Sequence, residues 1–217
     1  MLPKGILFDF DGVVVDSFES HYSAWVSAFK ELFDEDIAPF PKSYTGKTPL
    51  LIAAYFCSVI DKEEQAEELY YLKDKHLDIY FTKPNVLPGV YEITSFLSEQ
   101  NIRYGIASNA TKLFLKNSIH QLNLNFKTVF GVEDYIKPKP APEAYITLAK
   151  ALDFKETDFK NIWVFEDSLT GTTAAKLAGM NPIGILTQYS EKELRNAGST
   201  MVFPTLFEAF EYLKAKK

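Results

Sequence analysis

The chain has little of what would link it to an oxidising compartment, to nucleic acid or to a membrane. It carries one cysteine in 217 residues, so no disulfide can form within it, which is compatible with a reducing cytoplasm. Its 23 basic residues are outnumbered by 29 acidic ones, and the net charge of -6 disfavours nonspecific binding to nucleic acids or anionic membranes. No apolar run approaches the ~20 residues needed to span a bilayer, and the amino terminus lacks the form of a signal peptide. We expect a cytoplasmic monomer with neither a nucleic-acid nor a membrane partner.

The single thiol, Cys57, lies inside the apolar run at residues 50–57. No basic residue stands near it in sequence to lower its pKa, so it is expected to be a buried structural thiol and not a nucleophile. Hydrophobic residues make up 47% of the chain and aromatic residues 15%. This is enough for a full core, in one domain with an insertion or in one medium and one small domain.

The sequence pattern changes from helical to alternating after residue 89. A first strand is predicted over residues 6–10, and a helix over about 18–33 follows, with Asp16 or Ser17 as its N-cap. Two more helices are predicted at about 48–60 and 62–81. Beyond residue 89, strands at 103–107, 128–130, 162–165, 182–186 and 201–203 alternate with helices at about 90–100, 111–121, 141–152, 169–178, 191–197 and 205–214. Strands that alternate with helices indicate βαβ units and a parallel sheet.

This order predicts an α/β fold, a doubly wound parallel sheet with a Rossmann-like core and an inserted α-helical cap domain. The core is predicted over residues 1–16 and 85–217, and the helical cap over 17–84. Two connectors, the second at residues 83–89 with two prolines and a glycine, are expected to act as a two-strand hinge.

Polar residues stand where the apolar strands of the predicted sheet stop. Because ligands of such sheets bind outside the carboxyl ends of the strands, we expect these residues to meet at one rim. They are Asp9, Asp11 and Gly12 after the first strand, Ser108 and Asn109 after the next core strand, Lys139, and Glu166 and Asp167.

The chemistry of that rim favours a metal and a phosphoryl group. Neighbouring carboxylates repel each other unless a cation lies among them, and oxygen ligands suit Mg²⁺. No histidine or cysteine joins the rim, which argues against zinc. A lysine, a hydroxyl and free backbone N–H groups suit a doubly charged oxyanion. One carboxylate can attack phosphorus, and a second can protonate the leaving oxygen and then activate water.

These residues carry a resemblance to a known family. The segment at residues 9–17, DFDGVVVDS, resembles the first motif of the haloacid dehalogenase-like phosphotransferases. Ser108-Asn109 is similar to the second motif, KPAPE at residues 139–143 to the third, and FEDS at residues 165–168 to the fourth. All four stand in order, and the resemblance covers essentially the whole chain. The segment at residues 16–25 is similar to the β-phosphoglucomutase-like branch, and the inserted helices resemble that family's cap.

The resemblance implies a role for each motif residue. Asp9 becomes the nucleophile and a metal ligand, and Asp11 the general acid and base whose backbone carbonyl also touches the metal. Lys139 balances the charge on Asp9 and the phosphoryl group; Lys137, two residues earlier, is the less favoured candidate.

The remaining motif residues are implied to bind phosphate and metal. Ser108, the backbone N–H of Asn109 and the turn at Gly12 are expected at the phosphoryl oxygens. Asp167 becomes the main ligand of Mg²⁺, with Glu166 near the metal directly or through water.

The cap is less defined by the sequence. His21 either faces the cleft or packs near the hinge, and Lys47 either supplies the cap with positive charge or is solvated. The mutase resemblance calls for an arginine three residues after Gly46, where this chain has Pro49. Lys73 and Lys75 lie on a charged helix and are interpreted mainly as surface residues, with a contact to the substrate as the alternative. Trp25 and Phe29 are interpreted as core residues.

Structural alternatives exist for the motif residues. Asp9 and Asp11 fit a turn before a glycine, and Ser108 or Asn109 fits the cap of the next helix. The four motifs together favour an enzyme: a Mg²⁺-dependent phosphatase of a small phosphorylated metabolite, such as a sugar phosphate, that works through an aspartyl-phosphate. The alternatives are a β-phosphoglucomutase-like phosphomutase and a non-catalytic protein that binds a phosphorylated ligand. Asp11 and the Glu166-Asp167 pair argue against dehalogenation.

Overall fold

A computed structural model describes residues 2–81 and 85–217. Its strands are β1 (Gly5–Phe8), β2 (Val15–Asp16), β3 (Asn85–Val86), β4 (Arg103–Ala107), β5 (Val129–Phe130), β6 (Ile162–Glu166), β7 (Asn181–Ile185) and β8 (Met201–Phe203). Its α-helices are α1 (Phe18–Phe33), α2 (Pro49–Ser58), α3 (Ala66–Tyr80), α4 (Val90–Glu99), α5 (Lys112–Gln121), α6 (Glu143–Ala151), α7 (Leu169–Leu177), α8 (Glu191–Ala197) and α9 (Leu206–Lys214).

Six strands form one parallel sheet in the order β5-β4-β1-β6-β7-β8. From β1 the chain adds strands first on the β4 side and then on the β6 side, so the order reverses at β1. Ligands of open α/β sheets bind at such a switch point, outside the carboxyl ends of the strands. The predicted doubly wound parallel sheet is confirmed.

Helices cover both faces of the sheet. One hydrophobic cluster joins β1 to α4 and α9, and a second joins β1 and β6 to α6 and α7. All four residues of β1 are buried, as expected for a strand covered on both faces. This two-sided burial explains why the core strands have continuous apolar runs.

The three helices α1–α3 form a separate helical layer with its own apolar cluster. Trp25, Phe29, Phe56 and Leu69 are buried at its centre, so Trp25 and Phe29 are core residues as predicted. Cys57 is also fully buried there, and burial raises the pKa of its thiol to about 11, which confirms a structural thiol.

Two short antiparallel strands, β2 and β3, join the helical layer to the sheet, with Val15 opposite Val86. This pairing fits the predicted two-strand hinge. The start of the predicted second connector, Lys83, and the predicted cap boundary at residue 84 lie outside the described residues. Within the described part of the chain, no helix combines the length and the apolar character needed to cross a membrane.

The predicted helices and strands are confirmed to within a few residues, with three local differences. Strand β1 ends at Phe8, so Asp9 and Phe10 already belong to the loop. The hydroxyl of Ser17 makes no cap bond although Ser17 occupies the N-cap of α1. The cap of α5 is Thr111, whose side chain accepts from the N–H of Phe114; the structural alternative, in which Ser108 or Asn109 caps this helix, is therefore excluded.

Candidate active site

Three neighbouring strands bring the predicted residues to one place. Asp9 directly follows β1, Ser108 follows β4, and Asp167 follows β6, and these strands are adjacent in the sheet. All three side chains are buried and line one cavity between the sheet and the helical layer. The predicted convergence at a single rim is what the topology produces.

Lys139 is the cation at the centre of the rim. Its Nζ donates to Asp9 Oδ1 at 2.8 Å, to Glu166 Oε1 at 2.7 Å and to the hydroxyl of Tyr145 at 2.7 Å. Burial lowers the pKa of Lys139, but the two carboxylates outweigh it and the pKa is raised. Lys137, in contrast, is exposed, so Lys139 is the lysine of the third motif that reaches the site.

Three buried carboxylates form a compact acidic cluster. One oxygen each from Asp9, Glu166 and Asp167 lies within 4.8 Å of the others. Against them stands the single charge of Lys139, so the ionised cluster carries two uncompensated negative charges. Burial raises the pKa of Asp9 to about 7, and the negative charge of Glu166 is the second cause. Burial also raises the pKa of Asp167, together with the charge of Asp9. A hard divalent cation with oxygen ligands, such as Mg²⁺, fits both the donor atoms and the missing charge.

Glu166 differs from the other two carboxylates in its hydrogen bonds. Oε1 accepts from Lys139 and from the hydroxyl of Tyr145, and Oε2 accepts from the backbone N–H and hydroxyl of Ser168 at 3.3 and 2.9 Å. Four protein donors therefore saturate its two oxygens. This pattern favours the indirect alternative for Glu166, in which it acts on the metal site without ligating the ion.

Gly12 lets the loop after β1 approach Asp167. Its φ is +77°, a conformation that favours glycine, and a Cβ on it would lie 1.9 Å from Asp167 Oδ2. The hydroxyl of Thr187 lies 2.6 Å from the backbone oxygen of Gly12 and 2.9 Å from Asp167 Oδ2. Thr187, which the sequence did not single out, therefore ties this loop to the carboxylate.

Asp11 faces the same cavity from the other side of the loop. Its Oδ1 accepts from the hydroxyl of Ser17 at 2.5 Å and lies 3.3 Å from Nε2 of His21. Burial raises the pKa of Asp11, but the hydrogen bonds from His21 and Ser17 outweigh burial and leave the pKa lowered. Of the two alternatives for His21, the structure supports the one in which it faces the cleft, because its ring lines the cavity beside Asp11. Burial and the charge of Lys73 lower the pKa of His21.

Ser108 and Asn109 line the cavity with different side-chain roles. Ser108 Oγ accepts from the N–H of Ala110 at 3.1 Å and keeps its own proton available. The amide of Asn109 donates to the backbone oxygen of Gly46 at 2.8 Å, and its Oδ1 accepts from the N–H of Lys139 at 3.1 Å. Asn109 thus connects the cap loop to the loop that carries Lys139.

The cavity has a volume of about 270 Å³, close to the lower end of the ~300–1,000 Å³ found for small-molecule sites. Its cap side is mainly aromatic and is formed by Phe18, Tyr22, Trp25, Phe40 and Tyr44. Lys47 also lines it, half-buried, with Nζ 5.0 Å from the ring of Tyr44. Pro49 occupies the wall where the mutase resemblance calls for arginine. A space of this size suits a small molecule.

The surface assignment of Lys73 is wrong. Only 2% of this side chain is exposed; it lines the cavity, and its Nζ lies 3.2 Å from Asp74 and 5.6 Å from the centre of the Trp25 ring. The reason is helical spacing, since Lys73 stands four residues from both Leu69 and Leu77, which are buried on the same face of α3. Lys75 is exposed as predicted.

Comparison with known proteins agrees with this geometry. Residues 6–185 match the family described as haloacid dehalogenase-like hydrolase. The β-phosphoglucomutase of Bacillus subtilis is 30% identical over 84% of this chain and 83% of its own length. The phosphorylated carbohydrates phosphatase of Thermotoga maritima is 25% identical over 90% of this chain and 92% of its own length. The crystal structure of β-phosphoglucomutase from Clostridium difficile superposes on this chain with a TM-score of 0.84 at 21% identity. The match covers 100% of this chain and 97% of the crystallised chain.

The family match spans most of the chain and contains all four motifs that form the rim. The shared fold places those motifs at the carboxyl ends of β1, β4 and β6 and in the loop before α6. The chain therefore belongs to the haloacid dehalogenase-like hydrolase family and is an enzyme of its phosphatase and phosphomutase type.

Proposed function

We propose that this enzyme is a Mg²⁺-dependent phosphatase that moves the phosphoryl group of a small phosphorylated metabolite to Asp9 and then to water. The observation that carries the proposal is the pairing of Asp9 Oδ1 with Lys139 Nζ at 2.8 Å, with the Asp11 carboxylate facing the same cavity. A buried carboxylate beside a fixed cation is suited to attack phosphorus and to share the charge of the transferred group.

In the first step, an oxygen of Asp9 bonds to phosphorus and the bond from phosphorus to the ester oxygen breaks. The proton that the leaving oxygen needs comes from Asp11, which then becomes a carboxylate. The phosphate dianion lies close to Asp11 at this stage, and a neighbouring negative charge raises the pKa of a carboxyl group. Substrate binding thereby favours the protonated form that the step requires.

In the second step, the Asp11 carboxylate takes a proton from water and the oxygen of that water bonds to phosphorus. The bond from phosphorus to Asp9 breaks, and inorganic phosphate leaves. The hydrogen bond from Ser17 and the contact with His21 lower the pKa of Asp11 in the ligand-free site, which favours the base form for this step. Ser108 Oγ and the backbone N–H of Asn109 are the proposed donors to the phosphoryl oxygens.

Asp9, Asp167 and the backbone carbonyl of Asp11 are the proposed ligands of Mg²⁺. When bound there, the ion would supply positive charge to the phosphoryl oxygens and would offset the two uncompensated charges of the acidic cluster.

A phosphatase is favoured over a phosphomutase by the cap. A mutase has to hold a second phosphate at the far end of its substrate. The resemblance to the mutases calls for an arginine in the cap wall of the cavity, and this chain has Pro49 at that position. A phosphomutase remains the second candidate because of the 30% identity to β-phosphoglucomutase. Sugar phosphates are the proposed substrate class, as the name of the Thermotoga maritima relative indicates for that enzyme.

The test measures phosphate release from a panel of small phosphorylated metabolites by the purified protein with Mg²⁺. We expect hydrolysis of at least one sugar phosphate and its loss by at least about 10³-fold in Asp9→Asn, which removes the nucleophile. Asp153→Asn, an exposed aspartate in the left-handed conformation that asparagine also adopts, is the matched control and is expected to keep full activity.

The same preparation decides between the two candidates. Interconversion of β-glucose 1-phosphate and glucose 6-phosphate, stimulated by a hexose bisphosphate, would identify a mutase. Metal binding without hydrolysis or interconversion of any substrate would contradict the proposed function, and full activity in Asp9→Asn would remove Asp9 as the nucleophile.

A further inference from the structure

Tyr145 is a buried tyrosine whose hydroxyl lies inside the charged cluster. It stands in the first turn of α6, its side chain has no exposed surface, and its ring packs in the cluster under α6 and α7. The hydroxyl oxygen is 2.7 Å from Lys139 Nζ, and the hydroxyl donates to Glu166 Oε1. A phenylalanine would fill the same space, so packing alone does not account for the hydroxyl.

The hydrogen bonds fix which group donates to which. The ammonium of Lys139 has three N–H donors, and its three acceptors are Asp9, Glu166 and the hydroxyl of Tyr145. The hydroxyl has one proton, which goes to Glu166, so it accepts from Lys139 through a lone pair. Each N–H of the ammonium therefore has one assigned partner, and one of them is directed to Asp9.

We propose that Tyr145 is a positioning residue for phosphoryl transfer, because its hydroxyl holds the Lys139 ammonium in the orientation that gives Asp9 one N–H. The inference rests on the proposed function of Asp9 and extends it to a residue outside the four motifs. Without the hydroxyl, the buried ammonium has two carboxylate acceptors for three donors. It then turns to share its protons between Glu166 and Asp9, or leaves one N–H without a partner, which is costly in a buried site.

The decisive variant is Tyr145→Phe, which removes one oxygen atom and keeps the ring. We expect kcat to fall ~10- to 100-fold, in line with the effect of about 1 Å of misplacement at a reacting centre, while KM changes less than about twofold. Tyr104→Phe is the matched control. Its hydroxyl also makes two hydrogen bonds, to Ser98 and Asn125, but far from the rim, and we expect its kcat to stay at the wild-type value.

A spectroscopic measurement reports the orientation directly and needs no substrate. In protein labelled with ¹⁵N-lysine, a buried ammonium with all three protons bonded exchanges slowly with water and gives a resolved ¹H–¹⁵N correlation. We expect this signal for Lys139, assigned by its loss in Lys139→Arg, with a nuclear Overhauser effect to the ring protons of Tyr145. It should persist in Tyr104→Phe and be shifted or lost in Tyr145→Phe.

The outcomes separate this inference from the proposed function. If no substrate is hydrolysed by the wild-type protein, the proposed function fails, and the ammonium signal still decides whether Tyr145 orients Lys139. A folded Tyr145→Phe with kcat within about twofold of wild type and an unchanged signal would overturn the positioning role. If Tyr145→Phe does not fold, absence of the slowly exchanging ammonium or of its contact to the ring in the wild-type protein would overturn it equally.

Discussion

The side-chain amide of Asn109 donates to the backbone oxygen of Gly46 at 2.8 Å, so a residue at the end of β4 holds the loop of the helical cap. The contact is close because Gly46 has a φ of +80° and no side chain; a Cβ there would lie 2.8 Å from the hydroxyl of Ser168. The same amide lies 3.3 Å from the backbone oxygen of Lys139. The loop of the helical cap is thus connected to the loop that carries the central cation.

Asn109→Asp should weaken this link without changing the size of the side chain. The variant replaces the amide donor with an oxygen that faces two carbonyl oxygens, and a buried acceptor left without its donor costs ~1–3 kcal/mol. We expect kcat/KM to fall about tenfold or more, mainly through KM. Steady-state kinetics on the substrate found in the panel check this, with the exposed Asn125→Asp as control. An unchanged KM in Asn109→Asp would mean that the cap closes without this bond.

Mg²⁺ should stabilise the protein more at pH 8 than at pH 5. The folded-state pKa of Asp9 is raised from 3.8 to about 7, so its protonated form stabilises the metal-free fold fully below pH ~4, and this contribution is lost as the pH rises through ~7. A bound divalent ion replaces that proton and restores stability where Asp9 is ionised. Thermal unfolding with and without MgCl₂ at the two pH values measures the difference. In Asp9→Asn the extra shift at pH 8 should be smaller, because only Asp167, whose pKa is also raised, then loses a proton to the metal; Asp153→Asn should retain the full shift.

Much of the fold could be predicted because its signals are local. The apolar runs of β1, β6 and β7 and the glycine and proline connectors mark the elements, and the sheet topology then brings Asp9, Ser108 and Asp167 to one rim. The motif residues were found because each follows a strand. Their relative geometry comes from strand order, which the alternation of helices and strands already indicates.

The residues missed by sequence reasoning act through long-range contacts. Thr187 reaches Gly12 and Asp167 from the loop after β7, and nothing in its neighbourhood marks it. The sequence pattern places Tyr145 on the apolar face of α6. Its ring does lie in the core, and only its hydroxyl contacts the charged groups Lys139 and Glu166. Lys73 had a signal, the spacing from Leu69 and Leu77, but its charged neighbours made the helix read as solvent-exposed.

Removal of the Lys73 charge should move the acid limb of the pH profile to higher pH. The ammonium lowers the pKa of Asp11 after the larger effects of His21 and Ser17, so in Lys73→Met the pKa of Asp11 rises and its base form is lost earlier as the pH falls. Lys73→Met removes one partner of a contact whose other partner, Asp74, is about one third exposed and can be hydrated, and removal of a single partner destabilises a protein most when the remaining charge is buried; Tm is therefore measured beside the pH profile, so that a loss of stability is told apart from the shift of the acid limb. The pH dependence of kcat measures the effect, with Lys75→Met on the exposed face of α3 as control. An acid limb that stays in place would show that Lys73 does not act on Asp11.

A second contact between cap and core should contribute more through its neutral hydrogen bond than through its ion pair. The hydroxyl of Tyr189 donates to the backbone oxygen of Lys42 at 2.6 Å, and Lys42 Nζ lies 3.1 Å from Glu193 at the surface. Tyr189 is buried, and a buried hydrogen bond contributes ~0.5–1.5 kcal/mol, so Tyr189→Phe, which loses this bond between cap and core, should raise KM about fivefold. Exposed ion pairs contribute ~0–1 kcal/mol, so Glu193→Gln should change KM less than about twofold, and raised salt should have as little effect. KM measured for both variants at low and high NaCl tests whether Tyr189→Phe has the larger effect. A larger effect in Glu193→Gln would show that the ion pair, and not the buried hydroxyl, is the main contact on this side of the cap.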